Sequence, residues 1–267
     1  MYRLKPFGVL NGREVPVIEL FSDKCAVELL PYGAAVRAIR VPDRTGKLTD
    51  ICLGYDELES YRTLDACFGG TIGRCANRIG GARFTIDGRS YRVTANEGEN
   101  CLHGGIEGFH KKLWEFTCEE NAVTFSYTSP DGEEGFPGAV RVEVTYRLID
   151  NQLTIAYKAA AEQSTVVNLT NHTYFNLGSH SSGTVENHVL PCGPAGIRPW
   201  TAGISPWGRW RRWRERRWIS GHLRHLEAVS TIKPLTAGGD TTTTMRWTAE
   251  KARWRSCGAP APASVWK

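Results

Sequence analysis

The chain has 267 residues, with 33 Lys+Arg against 28 Asp+Glu and 41% hydrophobic residues. That length suits one large all-β domain or two ordinary ones, and the composition is that of a globular chain able to bury a core. No apolar run is long enough for a signal peptide or a bilayer span, so the expectation is a cytoplasmic protein with no membrane partner. The eight cysteines form no CxxC pair, which argues against a zinc site or a disulfide framework.

The net charge of +5 conceals a split. Residues 191–267 hold 14 Lys+Arg and 4 Asp+Glu, leaving 19 and 24 in the first 190 residues. The same tail carries eight of the nine tryptophans and no Phe, Tyr, Asn or Gln. Two compositions meet near Leu190.

Taken in chain order, the first 190 residues read as β-structure. "ARFTIDGRSYRV" alternates around Asp87-Gly88, a two-residue hairpin signal. "AVTFSYT", "AVRVEVTYRL" and "QLTIAYKAA" each alternate with period two, punctuated by Asp131-Gly132 and Asp150-Asn151. No segment keeps a helical period over twelve residues. Short strands at this spacing predict an all-β fold, a sandwich or barrel of antiparallel sheets.

Three polar clusters could carry chemistry. "GRCANRIGG" sets Asn77 and Arg78 between glycines. "NEGENCLHGG" sets His103 before two glycines. "VVNLTNHTYFNLG" surrounds His172 with Asn168, Thr170, Asn171, Tyr174 and Asn176. A dense set of hydrogen-bonding side chains with an aromatic face can line a pocket for a polyhydroxylated ligand. A histidine, with its ordinary pKa near 6.5, can exchange a proton at neutral pH. Arginine offers a fixed fork of donors to ligand oxygens. The bland alternative is that these histidines and Asn/Thr side chains only shape loops. No phosphate loop, serine elbow or HExxH motif occurs.

"NLTNHTYFNL" (168–177) resembles the signature of the aldose 1-epimerases, the galactose mutarotase family. "GRCANRI", "NCLHGGIEGFHKKLWE" and "SPDGEEGFPG" resemble three further blocks of that family, in its order. Together they span about residues 5–190. The resemblance implies a large antiparallel β-sandwich, here incomplete, with an open sugar cleft. It also implies an isomerase of carbohydrate metabolism that interconverts the α and β anomers of free aldoses such as galactose, without metal or cofactor. By position, His172 would protonate the ring oxygen and His103 would polarise the same region. Asn77 and Arg78 would hold sugar hydroxyls, with Tyr174 near the pocket. The family's base is a glutamate late in a longer chain, and a substrate-binding aspartate precedes it in a "YDHN" context. Neither context occurs here. The expectation is therefore a polypeptide of an active family that is itself inactive, with a non-catalytic sugar-binding relative as the alternative.

The tail offers an explanation for the missing contexts. "RWRRWRERRW" (209–218) has neither a strand nor a helix period. Written in GC-rich codons and read one frame over, 209–220 becomes "LAPVAGTPLDF" and 239–247 becomes "GYDHNYAV". Both resemble the family's missing text, in the right order. Residues 191–267 are therefore expected to be out-of-frame translation, disordered, and not a nucleic-acid or membrane-binding arm.

Overall fold

In the computed structural model, which describes residues 1–64, 66–186, 188, 233–235 and 240–248, the chain begins as an antiparallel meander. Strand β1 (Tyr2–Leu10) turns at Asn11-Gly12, both at positive φ, into β2 (Arg13–Phe21). Strands β3 (Ala26–Leu30), β4 (Ala35–Pro42) and β5 (Leu48–Asp50) complete a five-stranded sheet in sequence order. A short helix, α1 (Leu58–Thr63), follows.

The next segment is built from small pairings. These are β6 (Thr71–Ile72), β7 (Arg78–Ile79), the hairpin β8 (Arg83–Ile86) and β9 (Arg89–Arg92), and β10 (Cys101–Leu102). The hairpin turns at Asp87-Gly88 with φ of 50° and 78°, as its sequence predicts. The second sheet holds β11 (Glu115–Glu119), β12 (Ala122–Ser129), β13 (Val140–Ile149) and β14 (Gln152–Ala161). The last three coincide with the alternating segments, and Asp150, at φ 51°, makes the β13–β14 turn. Asp131-Gly132 instead opens a longer loop.

Strands β15 (Thr165–Val167) and β16 (Thr170–Asn171) follow. Two further strands fall within the tail: β17 (Lys233–Leu235) pairs with β15, and β18 (Asp240–Thr248) pairs with β14 along its length. The expectation of disorder for 191–267 thus meets strands at these twelve residues. A run of β-branched threonines favours extended backbone, and β14 offers it an edge. The rest of that expectation, including 209–218, lies outside the described residues. Among the described residues no helix is long and apolar enough to cross a membrane.

The two sheets face each other across one core. Ile18, Leu20, Leu29, Val36 and Ile39 from the first meet Val123, Phe125, Val142, Val144 and Tyr146 from the second. Trp114, fully buried beside them, donates its indole N–H to the Phe109 carbonyl at 3.0 Å. This is an all-β sandwich.

On the other face of the first sheet, Glu19 and Glu28 lie directly opposite on β2 and β3, 3% and 4% exposed. Like charges so placed would repel, but cationic side chains cover them. Arg3 and Lys5 reach Glu19, and Arg37 and Arg40 reach Glu28, with Lys5 at 3.1 Å and Arg40 at 2.7 Å. Burial pushes both carboxyls up. Hydrogen bonds and charge from the cations more than reverse this and hold both below the ordinary 4.5.

Candidate active site

Two chain crossings bring the predicted histidines together. In the first, β7 and β10 pair Arg78 with Leu102. The next pair along is Asn77 and His103. The His103 amide donates to the Asn77 carbonyl at 2.9 Å, and the Asn77 amide donates to His103 Nδ1 at 3.0 Å. Because Nδ1 accepts, the neutral ring carries its proton on Nε2. Both residues hold left-handed backbone, φ 62° and 54°, at a cost of about 1 kcal/mol or more each that the surrounding structure must offset.

In the second crossing, β16 pairs with β6 and delivers His172 beside Gly69-Gly70. The His172 amide donates to the Gly70 carbonyl at 2.9 Å, and the Gly69 amide to the His172 carbonyl at 3.1 Å. A short parallel bridge between Cys75 and Asn168 ties the two crossings together. The Asn168 amide reaches the Arg74 carbonyl at 3.0 Å, and the Ala76 amide reaches the Asn168 carbonyl at 2.8 Å.

The outcome is a histidine pair with an aromatic flank. The His103 and His172 ring centroids stand 5.2 Å apart, edge to face. Tyr174 lies 5.1 Å from His172 and 5.3 Å from Phe68, which stacks on Tyr55 at 4.8 Å. His172 is 4% exposed. Burial, aided by Cys67 and Tyr55, raises the Tyr174 phenol, so at neutral pH it keeps its proton as a donor.

Arg78 is less open to a ligand than the sequence implies. Its Nε and Nη2 meet the two oxygens of Glu97, Nε at 2.5 Å, and its Nη1 donates to Asn77 Oδ1 at 3.3 Å. The Arg78 hydrogen bond, aided by the Arg78 charge, holds the Glu97 carboxyl below its ordinary value.

Two of the asparagines around His172 bond backbone groups. Asn171 donates to the Gly69 carbonyl at 2.7 Å and accepts from the Thr173 amide at 3.0 Å. Buried Asn176 donates to the Gly183 carbonyl at 3.0 Å and accepts from the Gly178 amide and the Ser182 hydroxyl. Both build the loop that holds His172, because backbone groups away from water need partners. Thr170 is buried in β16. Among the described residues no cluster of three or more His, Cys, Asp or Glu could hold a metal ion.

Sequence reading also missed a buried cation. Arg74, 2% exposed, donates to the carbonyls of Pro130, Pro137 and Gly138 at 2.7–3.0 Å and to the Ser129 hydroxyl at 2.7 Å. Burial lowers it to about 10, against the opposing pull of Glu133 and Asp131. It stays charged at neutral pH and fastens the 129–138 loop to the segment bearing Asn77. It stands inside the quoted "GRCANRI", but nothing in that string says which arginine turns inward.

The family model for aldose 1-epimerases matches residues 16–195. The chain belongs to the aldose 1-epimerase family. It is 45% identical over 181 residues to galactose mutarotase of Bos taurus, covering 68% of this chain and 53% of that one. It is 43% identical over 204 residues to that of Rattus norvegicus, covering 76% and 60%. It is 40% identical over 166 residues to aldose 1-epimerase of Escherichia coli, covering 61% and 48%. Among solved structures, an aldose epimerase homologue from C. elegans superposes with a TM-score of 0.62 at 35% identity, covering 66% of this chain and 54% of that one. A galactose 1-epimerase from Lactobacillus acidophilus gives 0.61 at 25%, covering 74% and 61%. The chain spans about half to three-fifths of the length of these relatives.

Proposed function

We propose that the His103–His172 pair is the acid side of an aldose 1-epimerase site for a free aldose such as galactose. The observation carrying this is the 5.2 Å edge-to-face approach of the two rings beside Tyr174. In the reaction, a base removes the proton of the anomeric hydroxyl while an acid protonates the ring oxygen. The ring C–O bond breaks, the aldehyde rotates, and closure on its other face reverses the transfers. Two proton-transfer groups on opposite sides of one hemiacetal carbon are needed. His172 serves as the acid. His103 presents an Nε2 proton to the same region, its tautomer set by the Asn77 amide. Asn77 and Arg78 engage sugar hydroxyls, and Tyr174 supplies an aromatic wall with a donor at its tip.

The aspartate and glutamate contexts that complete the site in this family do not occur in the 267 residues. The polypeptide therefore binds the sugar and does not turn it over. Residues 191–267 arise from a shift of reading frame. The family match ends at residue 195, within five residues of the change in composition, which supports that reading.

Optical rotation of freshly dissolved α-D-galactose tests the catalytic half, and calorimetric titration tests the binding half. The expected result is binding with rotation decaying at the buffer rate, and weaker binding in His103→Gln and His172→Gln. Decay well above buffer would overturn the claim of inactivity. Absence of binding in a folded sample would overturn the sugar site in this polypeptide.

A further inference from the structure

We infer that Glu134 is a positioning residue for His103, acting through the backbone of the loop that carries it. This rests on the reading of His103 as a group that touches the sugar. Glu134 sits in the 129–138 loop, far from His103 in sequence, at φ 52°. Its carboxylate accepts the amide of Glu107 at 2.8 Å and that of Ile106 at 3.2 Å. Two successive amides converging on one carboxylate form an anion nest, with charge-assisted bonds. The Glu134 carbonyl in turn accepts the Thr94 amide at 2.9 Å.

The glycines after His103 are what allow this. Gly104 and Gly105 hold φ of 88° and 109°. A Cβ on Gly104 would overlap the Gly73 carbonyl, and one on Gly105 would overlap the Glu134 carboxylate. Asn96 closes the other side. It donates to the carbonyls of Leu102 and Gly105, each at 3.0 Å, and accepts the Leu102 amide at 2.7 Å. The polar backbone on both sides of His103 is thus taken up by two side chains, Asn96 from the start of the same segment and Glu134 from a distant one.

The platform under Glu134 is fixed as well. Arg74 grips the carbonyls of Pro130, Pro137 and Gly138. The neighbouring Glu133 turns the other way, to the Tyr127 hydroxyl at 2.6 Å, the Ser129 hydroxyl, and Lys112 at 3.0 Å. The left-handed backbone at Glu134 lets adjacent carboxylates point apart. The consequence falls on His103. Its tautomer depends on the Asn77 amide meeting Nδ1, and that contact lasts only while the loop stays in place.

The test is long-range proton–nitrogen NMR of the imidazole rings in the 15N-labelled 267-residue chain, with His103 assigned through His103→Gln. In the wild type His103 shows the Nε2–H tautomer. In Glu134→Ala its ring nitrogens shift toward the averaged values of two exchanging tautomers, while His180, held at the Cys52 carbonyl, stays put. Glu134→Gln keeps one acceptor oxygen and is expected to shift less. Unmoved His103 nitrogens in Glu134→Ala, with the Ile106 and Glu107 amides displaced, would overturn the inference. Should Glu134→Ala unfold, Glu134→Gln decides: movement of His103 without His180 supports the inference, and no movement overturns it. Galactose titration of the wild type separates the two claims. Failure of galactose to move His103 sinks the sugar site but leaves the loop argument standing.

Discussion

At the scale of single residues, the site is a case of side chains fixing backbone and backbone fixing chemistry. Asn77 matters through its amide, which sets the His103 tautomer. Glu97 matters because it takes two edges of the Arg78 fork. The two histidines, whose rings the structure brings to 5.2 Å, stood out as candidates because they sit in motif-like strings of polar residues and glycine. Glu97 and Glu134 were not, although both lie in the quoted strings. A carboxylate that grips a distant amide or guanidinium leaves no local pattern. Glu28 shows the same blindness, being a buried carboxylate in an otherwise apolar strand. Glu28→Gln removes the buried carboxylate that Arg37 and Arg40 share, leaving Arg37 to Asp56 and Arg40 to Glu19, and is expected to cost about 2 kcal/mol in urea unfolding at neutral pH. Its carboxyl lies below 4.5 in the folded state, so its contribution is full above that value and is lost as pH falls through the folded value. The variant should therefore lose less stability than the wild type between neutral and acid pH. An equal loss would contradict the assignment.

At the scale of elements, period-two alternation reported β12, β13 and β14 well, because each shows one face to the core and one to solvent. The hairpin at Asp87-Gly88 was legible for the same reason. The first sheet was not assigned from sequence. β3 is buried along its whole length, so alternation carries no signal there. Asn11-Gly12, a good hairpin signal, falls between strands whose pairing shifts register near Pro6–Gly8. The short pairings β6–β16 and β7–β10, two residues a side, are set by long-range contacts rather than by propensity. Arg74 is the fastening between these elements. Arg74→Met would leave three loop carbonyls without their donor, and we expect a loss of about 3 kcal/mol in urea unfolding. Arg74→Lys keeps charge but not the fork and should recover only part of it. A neutral result for Arg74→Met would remove the loop-fastening role.

At the scale of the whole molecule, one core joins two sheets and the histidine site lies on the short pairings beside them. The fold class was legible from residues 82–161 alone. The tail was read as a change of composition and as family-like text in a shifted frame, whereas the pairing of its described part with β14 and β15 left no signal in the sequence. Resequencing the coding DNA across the codons for Glu186 to Trp200 is expected to find one base gained or lost. An intact frame there would mean that the basic, tryptophan-rich segment is genuine. On the proposed function, the described residues form the acid side of a sugar site. The decisive measurement is to titrate galactose into the labelled 267-residue chain and follow the histidine ring nitrogens. The expected result is that His103 and His172 shift together and saturate while His180 does not move. Ring signals of His103 and His172 that stay fixed at every galactose concentration would contradict it.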